Sequence, residues 1–350
     1  MRHSSAIQGI LVLIMIVLMG STLHAQGISK VGTTAASFLE IGIGSRAASM
    51  GEAYVGMADD VTSLYWNPGG LALNPRNEVT FIHTQWLASI DFNHVAGSFN
   101  MGGMGTLAAS ITTLGYDEEP VRTIFYPEGT GEMFTASNSA IAVGWGRRFT
   151  DRFSFGASAK YIQEQIWHMK ASTMAVDVGT MFRTQFNDMR IGMSISNFGG
   201  KMQLSGRDNQ VKHDIDEEKE GNNANIDASL NTAEWPLPLI FRVGVAADVF
   251  KRGGNRLTFA LDADHPNNYN EAIHLGTELA IRDIVFLRAG QKWYLNDTDD
   301  DGDYLAQEGF NFGAGLQYRI GRTTALKVDY SYGDFGILAD TQRFSLSLEF

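Results

Sequence analysis

Asp297, Asp299 and Asp301 stand at alternate positions, Gly302 follows them, and Glu308 closes the run DTDDDGDYLAQE. This is the ligand spacing of a twelve-residue calcium loop. Calcium takes about six to eight oxygen ligands, a glycine at the sixth position permits the sharp turn, and a glutamate at the twelfth can close the shell with both oxygens. Asp303 would add its backbone carbonyl. The expected ligand set is therefore Asp297, Asp299, Asp301, Asp303 and Glu308, with Ca2+ ordering the loop rather than taking part in catalysis. The competing reading is an acidic loop that is merely solvated. Strands rather than helices flank the segment, so it must be carried by a connection between strands.

Other chemistry is scarce. His83, His94, His168, His213, His265 and His274 show no metal-ligand spacing, and no Gly-x-Ser-x-Gly elbow occurs, so no enzymatic activity is expected. Gly42, Gly44 and Ala47 make a fragment of a dinucleotide fingerprint without the strand, helix and acidic partner that would give it meaning. A net charge of −12 argues against nucleic acid as a partner. The polar run 206–226 reads as a flexible external loop, with a docking surface for a basic partner as the alternative.

The elements that position these groups read as strands. Phe241, Val243 and Val245 alternate with Arg242, Gly244 and Ala246; Leu275, Thr277 and Leu279 alternate with His274, Gly276 and Glu278. One row is apolar and the other small, polar or charged, as expected for a wall between lipid and an inner lumen. From residue 79 onward about fourteen such runs follow, a barrel-like number. Tight turns are expected at Thr150-Asp151, Asn187-Asp188, Arg282-Asp283 and Gly321-Arg322, and slightly longer ones near Gly102-Gly103 and Gly253-Gly254. Long connections are expected at 115–133, 199–237, 296–306 and 334–340. Every long connection follows an odd-numbered strand and every tight turn an even-numbered one, which sorts external loops from periplasmic turns.

The two ends agree with this plan. Arg2, the apolar stretch from Ile10 to Met19 and the small-residue finish at Ala25 read as a secretory signal peptide. With no cysteine, lipid attachment at a mature N-terminal Cys is excluded. The alternating run Arg343–Phe350 ends on an aromatic, and Phe350 resembles the signal by which barrel-assembly machinery recognises its clients. The expected organisation is a signal peptide (1–25), an N-terminal, partly helical plug or hatch in the lumen (26–78) and an all-β transmembrane antiparallel barrel in the bacterial outer membrane (79–350), in contact with its lipid. The tryptophans are scattered near strand ends or the plug, and several are expected to join the interfacial girdles.

Three stretches make the resemblance specific: Phe38-Leu39-Glu40-Ile41-Gly42, Arg46-Ala47-Ala48-Ser49-Met50-Gly51-Glu52-Ala53 and Tyr65-Trp66-Asn67-Pro68-Gly69-Gly70-Leu71-Ala72. Together they resemble the opening signature of the PorV/PorQ family, within the long-chain fatty-acid transporter (FadL) superfamily of fourteen-stranded barrels. The resemblance implies an adaptor of type IX protein secretion, which binds the C-terminal β-domains of exported cargo or docks beside the secretion translocon. The superfamily's other branch implies import of fatty acids or other hydrophobic molecules past an N-terminal hatch. On that reading Glu40, Arg46 and Glu52 line a path, and Asn67, Pro68 and Gly69 form a pivot. The alternative is that these groups hold one another inside a plugged lumen. Gly69 stands where the family carries alanine, a change expected to loosen the backbone.

Overall fold

The computed structural model describes residues 32–350 apart from 187, 217, 219–224, 296–308, 322 and 337–339. Fourteen long strands form one antiparallel ring. They are β1 (Glu78–Gln85), β2 (Asp91–Asn100), β3 (Thr106–Gly115), β4 (Ala136–Arg148), β5 (Phe153–Ile166), β6 (Met169–Arg183) and β7 (Arg190–Gly199), followed by β8 (Ile240–Arg252), β9 (Asn255–Pro266), β10 (Ala272–Ile281), β11 (Val285–Tyr294), β12 (Asn311–Ile320), β13 (Thr324–Asp334) and β14 (Asp340–Glu349). Each strand pairs with its neighbours in sequence. The register of Glu78 with Glu349 through Gln85 with Gln342 closes β1 onto β14, which removes every free sheet edge from the wall.

The alternation decides which face meets lipid. Phe81, Leu107, Phe241, Leu261, Leu316 and Phe344 are exposed on the outside, while their neighbours Arg242, Asp262 and Arg343 are buried within. A soluble protein would invert that arrangement, so the pattern is that of an outer-membrane barrel. Among the described residues no helix is long and apolar enough to span a membrane. Phe350 lies just past β14, where its backbone exchanges hydrogen bonds of 3.0 and 3.2 Å with Asn77.

Of the expected long connections, residues 296–308 and 337–339 lie outside the described residues; those after β3 and β7 leave one end of the barrel, as the parity of the sequence requires. One turn departs from it. Trp167 and His168 make a two-residue hairpin after the odd-numbered β5, with Trp167 in the left-handed region at φ 51°. Its place is explained by the loop above it: Ser205–Gly206 pairs with Met169 and Lys170 at the start of β6, and Asp208 accepts from His168 Nδ1 at 3.0 Å. The turn at Gly253-Gly254 is also tighter than expected, with two residues between β8 and β9. Part of 206–226 is strand rather than loose chain, since Gln210–His213 pairs with Ile226–Ser229.

Residues 35–77 fill the lumen ahead of β1. They form a 3-10 turn at Ser37–Glu40, helical turns at Ser45–Ala48 and Ser63–Trp66, and a second 3-10 turn at Pro68–Leu73. Pro68 does more than break the preceding turn. It sits at the first position of the next one, where its missing N–H costs nothing, and Asn67 caps that turn by accepting from Gly69 N at 3.1 Å. The wall receives this segment through inward glycines. A Cβ on Gly146 would stand 2.7 Å from the Pro68 carbonyl oxygen, and one on Gly276 2.6 Å from that of Met50. Gly156, Gly179, Gly192 and Gly290 leave still less room. The small inward residues are therefore a socket shaped to a backbone.

Candidate functional site: the plugged lumen and its outer vestibule

The plug meets two unlike walls. On β1 to β6 the inward row supplies Ile82, Phe92, Leu114, Ala140 and Ile162, which pack with Ala36, Phe38, Leu39, Ile41 and Ile43 of the plug. Met202 and Leu237 fold in from the long 200–239 connection to join this cluster. That connection is tied down by a backbone pair between Met202 and Trp235 (2.8 and 2.9 Å) and by Ala35 N donating to Pro236 O at 2.9 Å. Lys160 and Asp177 form a buried ion pair of 2.9 Å within this arc.

On β8 to β14 the inward row is charged. Glu278 is fully buried and receives three arginines: Arg46 of the plug at 2.9 Å, Arg288 at 2.8 Å and Arg256 at 2.7 Å. Arg288 also pairs with Asp329 at 2.5 Å, and Arg46 with Asp59 at 2.6 Å and with the Tyr54 hydroxyl at 3.0 Å. Burial alone would raise the Asp59 carboxyl, yet Arg46 and Arg190 hold it below the ordinary carboxylate range. The charges thus satisfy one another, as buried charges must.

Glu52 lies 3.5 Å from Lys292. Against the opposing effect of burial, Lys292 and Arg343 keep its carboxyl below the ordinary range. Glu40 behaves oppositely. Burial pushes it up, and the hydrogen bond from Asn268 Nδ2 at 3.1 Å offsets this only in part. Asn67 is fully buried and spends its whole amide: Nδ2 donates to Val55 O (3.1 Å) and Thr180 O (3.0 Å), and Oδ1 accepts from Gly69. Gly69 is not a loose point either. A Cβ there would lie 2.9 Å from Gly179 O and Thr180 Cα, while Ser154 Oγ donates to Gly69 O at 2.8 Å. Glu40, Arg46, Glu52, Asn67, Pro68 and Gly69 all fall on the plug; Asn67 and Gly69 bond to each other, Glu40, Arg46 and Glu52 to separate partners, and the six do not converge on one centre.

Two cavities flank the plug. The outer vestibule, of about 660 Å³, opens among the long connections. Trp86, Tyr116, Tyr269, Tyr294 and Phe335 line it, with Trp86 edge-on to Phe335 and Tyr269 edge-on to Tyr294. Its floor carries Glu40, Glu52, Arg242 and Lys292. Arg242 stacks 5.5 and 5.4 Å from the Tyr65 and Trp66 rings, and burial pushes the Tyr65 hydroxyl up to about 12. The inner cavity, of about 340 Å³, lies at the turn end and is walled by Arg46, Asp59, Asp60, Arg256, Arg288 and Lys327. Nothing in the hydrophobic periodicity announced the vestibule; its aromatics sit at strand ends and in connections, where alternation has stopped.

Of the tryptophans, Trp66 is buried in the plug and donates to Ile43 O at 2.9 Å, so it belongs to no girdle. The calcium-loop residues Asp297, Asp299, Asp301, Asp303 and Glu308, and the signal segment 1–25, lie outside the described residues.

A family model described as the type IX secretion system protein PorV matches residues 24–217. No curated protein matches the chain. Among solved structures, the toluene transporter TodX of Pseudomonas putida superposes with a TM-score of 0.54 at 12% identity, covering 88% of this chain and 96% of its own. The toluene transporter TbuX of Ralstonia pickettii gives 0.53 at 13%, covering 88% and 97%. A FadL homologue of Pseudomonas aeruginosa gives 0.52 at 12%, covering 87% and 97%. At such identities the likeness is one of fold.

Proposed function

The protein belongs to the PorV family of type IX secretion system proteins, and from that premise we propose that it is an outer-membrane adaptor that holds exported proteins for secretion. Its docking surface is the outer vestibule with the long connections around it, and its partners are cargo C-terminal β-domains and the secretion translocon. The observation that supports this reading is the state of the lumen. A conduit for hydrophobic molecules needs a continuous apolar route. Here the plug lies between the two cavities, its Arg46 and Glu52 are paired with Glu278 and Lys292 of the wall, and the wall closes on itself. Export by a signal removed after Ala25, and insertion read from Phe350, belong to the same proposal.

A second reading, import of hydrophobic small molecules, draws support from the aromatic lining of the vestibule and from the fold shared with hydrocarbon transporters. Gentle detergent extraction from the native membrane, followed by mass spectrometry of what accompanies the barrel, separates the two. The adaptor reading expects proteins with a common C-terminal β-domain, or a very large barrel. A solitary barrel carrying fatty acid or another lipid would overturn it in favour of import.

A further inference from the structure

The connection after β3 rises as a hairpin finger with an apolar tip. Glu119–Pro120 pairs with Met133–Phe134, and Val121 N donates to Glu132 O at 2.9 Å. Thr123 and Tyr126 close the tip through reciprocal backbone hydrogen bonds of 3.2 and 3.1 Å, leaving Ile124 and Phe125 at its apex. Tight hairpin apices usually carry glycine, asparagine or aspartate. Here Ile124 is 96% exposed, Phe125 87% and Tyr126 62%. Contiguous apolar surface held on a closed turn is the form of an interaction anchor, ordered before its partner arrives.

The remainder of the finger indicates what it meets. Between Asp117 and Glu132 it holds five carboxylates and one arginine. From Gly115, where β3 ends, to Ile124 the chain covers about 30 Å if extended. A finger laid into the bilayer would bring Glu118, Glu119 and Glu128 into the interface with it, at a large desolvation cost. An apolar tip on an acidic stalk instead complements an apolar pocket with a basic rim.

We propose that Ile124, Phe125 and Tyr126 insert into an apolar pocket of a protein partner, and that Glu118, Glu119 and Glu128 pair with lysines or arginines around that pocket. This rests on the secretion reading and gives it a residue-level contact. The first test places the photo-reactive p-benzoylphenylalanine at position 125 of the full chain in its native cells. The expected adduct is with a protein peptide whose apolar residues are flanked by Lys or Arg. Its yield should fall about tenfold in a Glu118→Lys, Glu119→Lys, Glu128→Lys background, the scale of an interface hot spot. An adduct with lipid, no adduct, or one indifferent to charge reversal would overturn the proposal.

A second test compares wild type with Ile124→Ser, Phe125→Ser, both shown to be folded by heat-dependent gel mobility, for co-purifying secretion components. Loss in the double variant alone supports the finger. Equal recovery sinks the finger and leaves the secretion reading standing. Recovery from neither sinks the secretion reading, and the finger falls with it.

Discussion

The two arcs of the lumen hold the same plug by different means. Along β1 to β6 the contact is chiefly apolar, Phe38 and Leu39 against Ile82, Phe92 and Ile162, with Asn67 and Gly69 hydrogen-bonded to Thr180 and Ser154, and its apolar part tolerates small displacements at modest cost. Along β8 to β14 it is ionic, and Glu278 with its three arginines admits one arrangement. Buried ion pairs add little net stability, but breaking one is expensive, so the charged arc serves chiefly to fix position. The plug is thus seated on one side and registered on the other.

The largest effect should come from the registering side. Glu278→Ala leaves Arg46, Arg256 and Arg288 without their common partner, and should cost about 4 kcal/mol in denaturant unfolding from lipid vesicles. Phe38→Ala, in the apolar arc, should cost about 3 kcal/mol by the same measurement. The distinction between arcs breaks if the order reverses by a wide margin. Gly69→Ala forces a methyl onto the Gly179–Thr180 backbone, and about 2 kcal/mol should be lost. An unchanged midpoint would mean that the socket yields.

Smaller effects should depend on pH with opposite signs. The Glu52 carboxyl is held below the ordinary range, so its contribution is present at neutral pH and disappears as pH falls through its lowered value. Glu52→Gln should destabilise at pH 7 and become neutral in acid. Burial raises Glu40, so its ionisation opposes folding as pH rises through and above the ordinary range. Glu40→Gln should stabilise at pH 7 and lose that advantage in acid. Parallel pH curves for the two variants would contradict the assignment. The smallest change in stability should follow Ca2+ removal. Binding to the 297–308 loop is expected with a dissociation constant of about 0.1–1 mM. In calorimetric titration it should vanish with Asp299→Asn, Asp301→Asn, Glu308→Gln.

Much of the barrel was legible in the sequence because the strand period is two and the lipid face is apolar throughout. Phe241, Leu275 and Leu316 declare that face without reference to anything distant. The Trp167-His168 hairpin was not legible, because its reason lies in Ser205–Gly206, far along the chain. For the plug, the residues that matter were visible but not their partners. Arg46 meets Glu278, and Asn67 meets Thr180, across separations no local pattern encodes. Gly69 shows the limit most clearly: local propensity reads it as freedom, whereas the wall beside it leaves no space for a side chain.

On this reading the plug stays seated while the protein works. The hydroxyls of Ser45 on the plug and Ser345 on β14 lie 2.8 Å apart, and the chain has no cysteine to interfere. Ser45→Cys with Ser345→Cys would therefore lock plug to wall by a single disulfide. Surface delivery of exported proteins should then be measured in cells carrying the locked barrel, with and without reductant. Delivery should be equal in both conditions. Delivery abolished by the lock and restored by reductant would contradict that reading, and would make the plug a moving hatch.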